Sequence, residues 1–271
     1  MALFSKTSMS TCVLRGLLAA LVGCISVNAF AQDSDPTVSF VNDVMPVFTK
    51  AGCNTGACHA KAGGGQNGFQ LSLLGFEPAE DFESLTKEAR GRRLFPAVPE
   101  RSLVLMKASN QTPHGGGMRL SQGSPGYLQI LKWIEQGSPY QSGNEPQLKS
   151  VEVQPQRGIV AMQGQQQLKA IATYSDGSTR DVTELALFES NDVAMADVTK
   201  EGLVQVHDIP GRVSVMLRYQ GQAAVFSAAV PLGAAVENLP EPRNFIDDYV
   251  FANLKEIGIP PSPICDDATF L

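Results

Sequence analysis

Gln167-Leu-Lys-Ala-Ile-Ala-Thr-Tyr174, followed by Asp176-Gly177 and Thr179-Arg-Asp-Val182, decides how the second half of this chain folds. Apolar and polar residues alternate through the first run, and a period of two is the mark of a half-buried strand. Asp-Gly is a strong short-range hairpin signal. Working outward, Leu148-Lys-Ser-Val-Glu-Val153 alternates as well, and Gly202-Leu-Val-Gln-Val206, Arg212–Tyr219 and Ala223–Val230 read as further strands. Some six or seven short strands in about 85 residues predict an all-β sandwich over 147–233.

Upstream the period changes. Residues 36–140 read as mostly helical with long Gly-rich loops. Phe40, Val44, Val47 and Phe48 share a helical face, with Pro46 expected to kink or restart it. Pro78–Glu88 and Pro99–Ala108 read as short helices, the second with Leu103 and Met106 inward. Ser124–Gln136 is the clearest: Ser124 as N-cap, Pro125 in the first turn, a core stripe of Tyr127, Ile130, Leu131 and Ile134, and Gly137 as stop. Pro139–Pro146 marks a boundary, and Leu239-Pro-Glu-Pro242 a second linker before one more helix.

The 271 residues are 43% apolar and 18% charged, enough to bury a core. The net charge is −6, with no basic run to serve nucleic acid or an anionic membrane. Five cysteines are too few for a disulfide scaffold. Lys6 and Arg15 precede the apolar run Gly16–Val27, and Ala29-Phe-Ala31 fits a small-x-small cleavage site. Residues 1–31 therefore read as a secretory signal peptide, with export to the periplasm or cell surface. The run is too short to span a bilayer, so no transmembrane span is expected in the mature chain. Leu21-Val-Gly-Cys24 resembles a lipobox, which keeps lipid anchoring at Cys24 open.

One constellation carries chemistry: Cys53-Asn-Thr-Gly-Ala-Cys58-His59. C-x-x-C-H marks covalent attachment of c-type haem, two thiols adding to the vinyl groups while the adjacent His reaches the iron. Here two residues more separate the cysteines, and the small Gly56 and Ala57 are expected to let the extra backbone bulge out. A Cys53–Cys58 disulfide, a zinc site adding His59 and His114, and a thiol oxidoreductase stay open beside it.

Val44-Met-Pro-Val-Phe48, Gly52–His59, Gly68-Phe-Gln-Leu-Ser-Leu-Leu-Gly75, Arg92-Arg93, Pro99-Glu-Arg-Ser-Leu103, His114-Gly-Gly-Gly117 and Trp133-Ile-Glu-Gln-Gly137 together resemble the planctomycete cytochrome C domain, over roughly 38–140. The resemblance implies one covalently attached haem c on Cys53 and Cys58, with His59 as proximal iron ligand. Relatives with the usual haem motif place a ligand Met six residues before a Leu. Counting back six from Leu120 lands on His114, the expected distal ligand, with Met118 as its rival; Met45 and Met106 read as core. Arg92 and Arg93 are candidates for the haem propionates, against the ordinary reading of exposed arginines. Leu148–Val153, Ala172-Thr-Tyr-Ser-Asp-Gly-Ser-Thr-Arg-Asp-Val-Thr183 and Ser190-Asn191 are similar to a bacterial immunoglobulin-like domain of group 2, a spacer or adhesion module. There Tyr174 and Asp181 read as core and turn residues, and His207 as surface. Residues 244–271 resemble the truncated start of a larger planctomycete domain of unknown function, with Cys265 an idle thiol.

The expectation is thus a multidomain chain: a signal peptide (1–31), a mainly α cytochrome c-like haem domain (36–140), an all-β immunoglobulin-like sandwich (147–233) and the truncated start of a helical domain (243–271). The expected role is that of an exported c-type cytochrome transferring electrons to an unknown redox partner, or to a C-terminal domain missing from the chain. No nucleic-acid partner is expected. With no acid–base or nucleophile set of its own, it is not read as an enzyme. The alternative is a cell-surface binding or adhesion protein whose cytochrome-like region is structural.

Overall fold

The structure, a computed structural model, describes residues 36–141, 144–262 and 265–270. The leader read in 1–31, with Cys24 and the Ala29–Ala31 cleavage site, lies outside them.

All strands among the described residues fall between 148 and 230 and form three sheets. The first is β1 (Leu148–Gln154), β4 (Lys169–Tyr174) and β5 (Thr179–Asp181). The second is β2 (Arg157–Ile159), β10 (Gln222–Val230), β9 (Gly211–Tyr219) and β6 (Leu187–Ser190). The third is β3 (Gln165–Gln167), β8 (Leu203–Val206) and β7 (Ala196–Val198). The longest pairing is the antiparallel β9–β10 hairpin, in register from Gln222 opposite Tyr219 to Val230 opposite Gly211. Inward residues alternate along the strands as the pleat demands, and Leu168, Ala170, Val204, Val215, Leu217 and Phe226 are fully buried. The Asp176-Gly177 turn closes β4 onto β5. Gly177 takes φ +82°, a left-handed conformation that costs glycine nothing, and Asp176 Oδ1 accepts from the Ser178 amide at 2.9 Å.

The run Gln167–Tyr174 is not one strand. Gln165–Gln167 pairs with β8 and Lys169–Tyr174 with β1, so the chain changes sheets at Leu168. The fully buried Leu168 side chain holds that crossing, and its amide donates to the Gly202 carbonyl at 2.9 Å.

Residues 37–140 correct the expectation of a mainly α cytochrome c-like domain. Among the described residues the three sheets are the extended ordered assemblies, and no clear α-helical domain stands beside them. The helices here are short: α1 (Met45–Lys50), α2 (Pro78–Thr86), α3 (Leu103–Ala108) and α4 (Pro125–Glu135). The face Phe40–Phe48 is a π-helical turn, Phe40–Val44, running into α1, and Gly52 (φ +76°) lies just past the end of α1. Ala89 and Arg90 adopt left-handed angles just past α2. Pro99–Arg101 forms a 3₁₀ turn, so the next helix starts only at Leu103 and turns Leu105 and Ala108 inward rather than Leu103 and Met106. Proline and glycine punctuation overrides the apolar period. α4 matches its sequence: Ser124 Oγ accepts from the Tyr127 amide, and Trp133 joins Tyr127, Ile130 and Ile134 in the core. The Phe40 ring lies 5.2 Å from Phe82 and 5.4 Å from Trp133, whose indole N–H donates to the Pro139 carbonyl.

From Thr37 onward the described residues form one compact unit with two apolar clusters. Leu185 packs against both. Arg180 pairs with Asp43 at 2.8 Å, Gln220 donates to the Val41 carbonyl, and Lys50, at the end of α1, donates to the carbonyls of Ala186 and Lys200. A last helix, α5 (Phe245–Ile257), carries a capping box from Asn244 and Asp247, and a short turn of helix, α6 (Asp267–Phe270), follows. No helix among the described residues is long and apolar enough to cross a membrane.

Candidate functional site

The loop from Gly52 to Ala60 is built by its own backbone. The Cys53 amide donates to the Phe48 carbonyl at 2.9 Å, Cys58 to Thr55 at 3.0 Å, and His59 to Cys53 at 2.9 Å. Asn54 is fully buried: its side-chain amide donates to Thr49 Oγ1 on α1, and its backbone carbonyl accepts from the Leu74 amide. The tight spot is not Gly56. A Cβ on Gly56 meets open space, whereas a Cβ on Gly63 lies 2.0 Å from the Gly56 carbonyl oxygen. The next turn, rather than the bulge, demands the glycine.

This loop presents Cys53, Cys58 and His59 to a cavity of about 630 Å³, within the range of small-molecule sites. His114 enters from the Gly-rich loop after α3, which is held by Lys107 Nζ on the Pro113 carbonyl and by the Arg119 amide on Ala108. The two imidazoles stand with ring centres 6.2 Å apart and planes 7° from parallel. His59 Nδ1 bonds the Phe69 carbonyl at 3.2 Å, and His114 Nδ1 the Gly117 carbonyl at 2.8 Å. A carbonyl only accepts, so Nδ1 carries the proton in both rings and Nε2 is left with its lone pair. Burial lowers the His59 pKa from its ordinary value, with the neighbouring His114 ring and Arg93 guanidinium acting in the same direction and the hydrogen bond to the Phe69 carbonyl opposing them. Burial also pushes the Cys53 thiol up to about 12, with Arg119 pulling the other way. Cys53 and Cys58 are free thiols, and Arg119 Nη2 lies 3.6 Å from Cys58 Sγ.

The remaining walls divide in two. Phe48, Phe69, Leu103 and Val104 are apolar; Arg92, Arg93, Lys107 and Arg119 are cationic, and no carboxylate lines the cavity. The shape and charge suit a ligand with an apolar body and acidic groups.

Met118 is 61% exposed, does not line this cavity, and has Ser121 Oγ 4.0 Å from its sulfur. Arg93 is not a surface cation: it is 4% exposed and bonds three backbone carbonyls. Arg92 is exposed at the rim. Asn54, inside the Cys53–His59 motif, and Phe69, one residue after Gly68, lie in motifs visible in the sequence but carried no role there, and Arg119 had no signal. In the sandwich, Tyr174 is buried with its hydroxyl 3.3 Å from that of Tyr219, Asp181 caps the Thr183 amide, and His207 pairs with Asp197 at the surface. Cys265 is exposed.

A larger cavity, about 810 Å³, opens between residues 72–78 and the β9–β10 turn. Its charged groups are already paired, Lys61 with Glu77 and Arg218 with Glu189, and it holds no His or Cys.

No family model matches the chain, and no curated protein matches it. Among solved structures it is similar to the surface layer protein SbsC, domains 1–6, at 15% identity over 36% of this chain and 15% of that one, TM-score 0.28. An intimin mutant of EHEC O157:H7 gives 21% identity over 33% of this chain and 48% of that one, TM-score 0.22. The endo-beta-1,4-mannanase from Thermotoga petrophila gives 14% identity over 44% and 27%, TM-score 0.19. The chain spans less than half the length of each of these structures, and likenesses this slight decide nothing about its function.

Proposed function

We propose that this chain is an exported c-type haem protein that transfers electrons, with haem on Cys53 and Cys58 and iron ligation by His59 and His114. One observation carries the reading: two near-parallel imidazoles, each fixed through Nδ1 on a backbone carbonyl, on one cavity with both thiols. The donor set fits the group. Two imidazoles sharing one metal through bonds of about 2 Å have ring centres about 6 Å apart, and the rings here are at 6.2 Å. A carbonyl on the far ring nitrogen is the outer-shell partner a metal-ligating histidine needs. Bound haem supplies an iron that takes up and releases one electron.

The chain's own residues do the rest. The thiols fix the ligand covalently, and the Cys53 thiol, buried and protonated, is poorly set for disulfide exchange. Phe48, Phe69, Leu103 and Val104 keep water from the apolar body, while Arg92, Lys107 and Arg119 supply charge for two carboxylates. Two imidazole ligands would give the bound haem a lower potential than a methionine ligand gives. The leader and the loop of two cysteines both suit an oxidising compartment.

The test is a haem-stained gel with a pyridine haemochrome spectrum of protein matured by export. A haem band that survives denaturation is expected. Cys53→Ala and Cys58→Ala should each leave one thioether, and the double variant should release haem to acid–acetone. Haem-free mature protein, with Cys53 and Cys58 joined in a disulfide, overturns the reading in favour of a binding protein.

A further inference from the structure

We infer that Arg93 is a positioning residue for His59, acting through Gly68 and Phe69, and not a ligand for acidic groups in the cavity. This deepens the proposed function and rests on it for the role of His59.

The side chain of Arg93 is 5% exposed. A buried guanidinium is costly unless its donors are satisfied, so its partners say what it is for. Two are carbonyls of α2 and the turn beyond it, Ser84 and Glu88. The third is the Gly68 carbonyl at 2.7 Å. The Glu88 carboxylate, at 3.8 Å, is mostly exposed and adds little. The guanidinium also lies over the Phe69 ring, 4.5 Å from its centroid, a cation–π contact in a desolvated setting. Phe69 in turn holds His59 twice: its ring centre is 4.7 Å from the imidazole centre, and its carbonyl accepts a hydrogen bond from His59 Nδ1–H.

Arg93 therefore grips both sides of the segment that orients His59, the peptide at Gly68 and the ring at Phe69, and anchors them to α2. Among the described residues, Arg93 alone of the cations lining the cavity has a hydrogen bond or ring contact with residues 68–69. Arg92, one residue earlier, faces the rim. A lysine at 93 would keep the charge but could not reach α2 and the Gly68 carbonyl with a planar fork while stacking on a ring.

The test reads His59 itself. Nitrogen-15 NMR of the imidazoles in haem-free protein reports which ring nitrogen carries the proton. Wild type should show His59 as the single Nδ1–H tautomer. Arg93→Gln should give loss of that single tautomer, Arg93→Lys should fail to restore it, and His207 should be unchanged in both. Phe69→Leu, which removes the ring but keeps the backbone, should shift His59 in the same direction even if Arg93→Gln does not fold. In haem-loaded protein the same variants should shift the low-spin EPR signal and the reduction potential. Native His59 nitrogen signals in folded Arg93→Gln, or in Phe69→Leu where Arg93→Gln does not fold, overturn the inference. The wild-type haemochrome spectrum judges the haem reading separately.

Discussion

At the scale of single residues, His114 and Met118 sit four apart on one loop yet face different surroundings, and that difference is measurable. His114→Ala should abolish the low-spin spectrum of the oxidised protein, and Met118→Ala should leave it intact, because the exposed thioether lies off the cavity. Loss in Met118→Ala alone reverses the assignment. A second contrast concerns glycines. Gly63→Ala sets a methyl 2.0 Å from the Gly56 carbonyl and should cost about 1–3 kcal/mol, the usual scale of overpacking, and lower haem incorporation. Gly56→Ala meets nothing and should be within about 0.5 kcal/mol of wild type in urea titrations.

Among elements, α4 offers the clearest energetic test. Ser124 Oγ accepts from the Tyr127 amide, so Ser124→Ala should cost about 1 kcal/mol and Ser124→Gly only a few tenths. Trp133, the one tryptophan in the chain, stands fully buried on the same helix and reports its unfolding by fluorescence. A destabilisation equal for Ala and Gly would contradict a capping role. α4 was legible because cap, proline, stripe and glycine agree. The strands β1, β4, β5, β8, β9 and β10 were legible because one face is core and the pleat has period two; β2, β6 and β7, three or four residues each, are too short to show a period. The change of sheets at Leu168 was not, since a buried leucine satisfies either sheet. In 36–140 the helical face Phe40–Phe48 formed, but the helices stay short: Pro99 opens a 3₁₀ turn that delays the next helix to Leu103, and left-handed residues at Gly52, Ala89 and Arg90 follow the ends of α1 and α2. At the site, Cys53, Cys58 and His59 were legible as a contiguous motif. Arg93 was visible as a residue and misread, because burial is a tertiary property.

For the molecule as a whole, Lys50 links the two clusters. It closes α1, three residues before Cys53, and reaches the carbonyls of Ala186 and Lys200 with Phe188 5.5 Å below it. Burial lowers its pKa from 10.5 to about 8, while Glu184 and Glu201 pull the other way. Between these values the unfolded chain binds more protons than the folded one, so stability rises with pH from about 8 to 10.5 and is penalised below. Melting followed through Trp133 should show that rise in wild type and a flatter profile in Lys50→Met. Identical profiles would mean that Lys50 stays hydrated.

The two ring anchors differ in how far along the chain they reach. His114 is tied to Gly117, three residues away in its own loop, so a swing of that loop carries ring and anchor together with the bond unbroken. His59 is tied to Phe69, ten residues away, in a segment fastened through Gly68 and Arg93 to α2. His59 cannot move together with its anchor unless the Arg93 bonds to Gly68 and α2 also break. On the proposed ligation, ligand exchange should be asymmetric: azide or free imidazole added to haem-loaded protein should replace His114 and leave His59 in place.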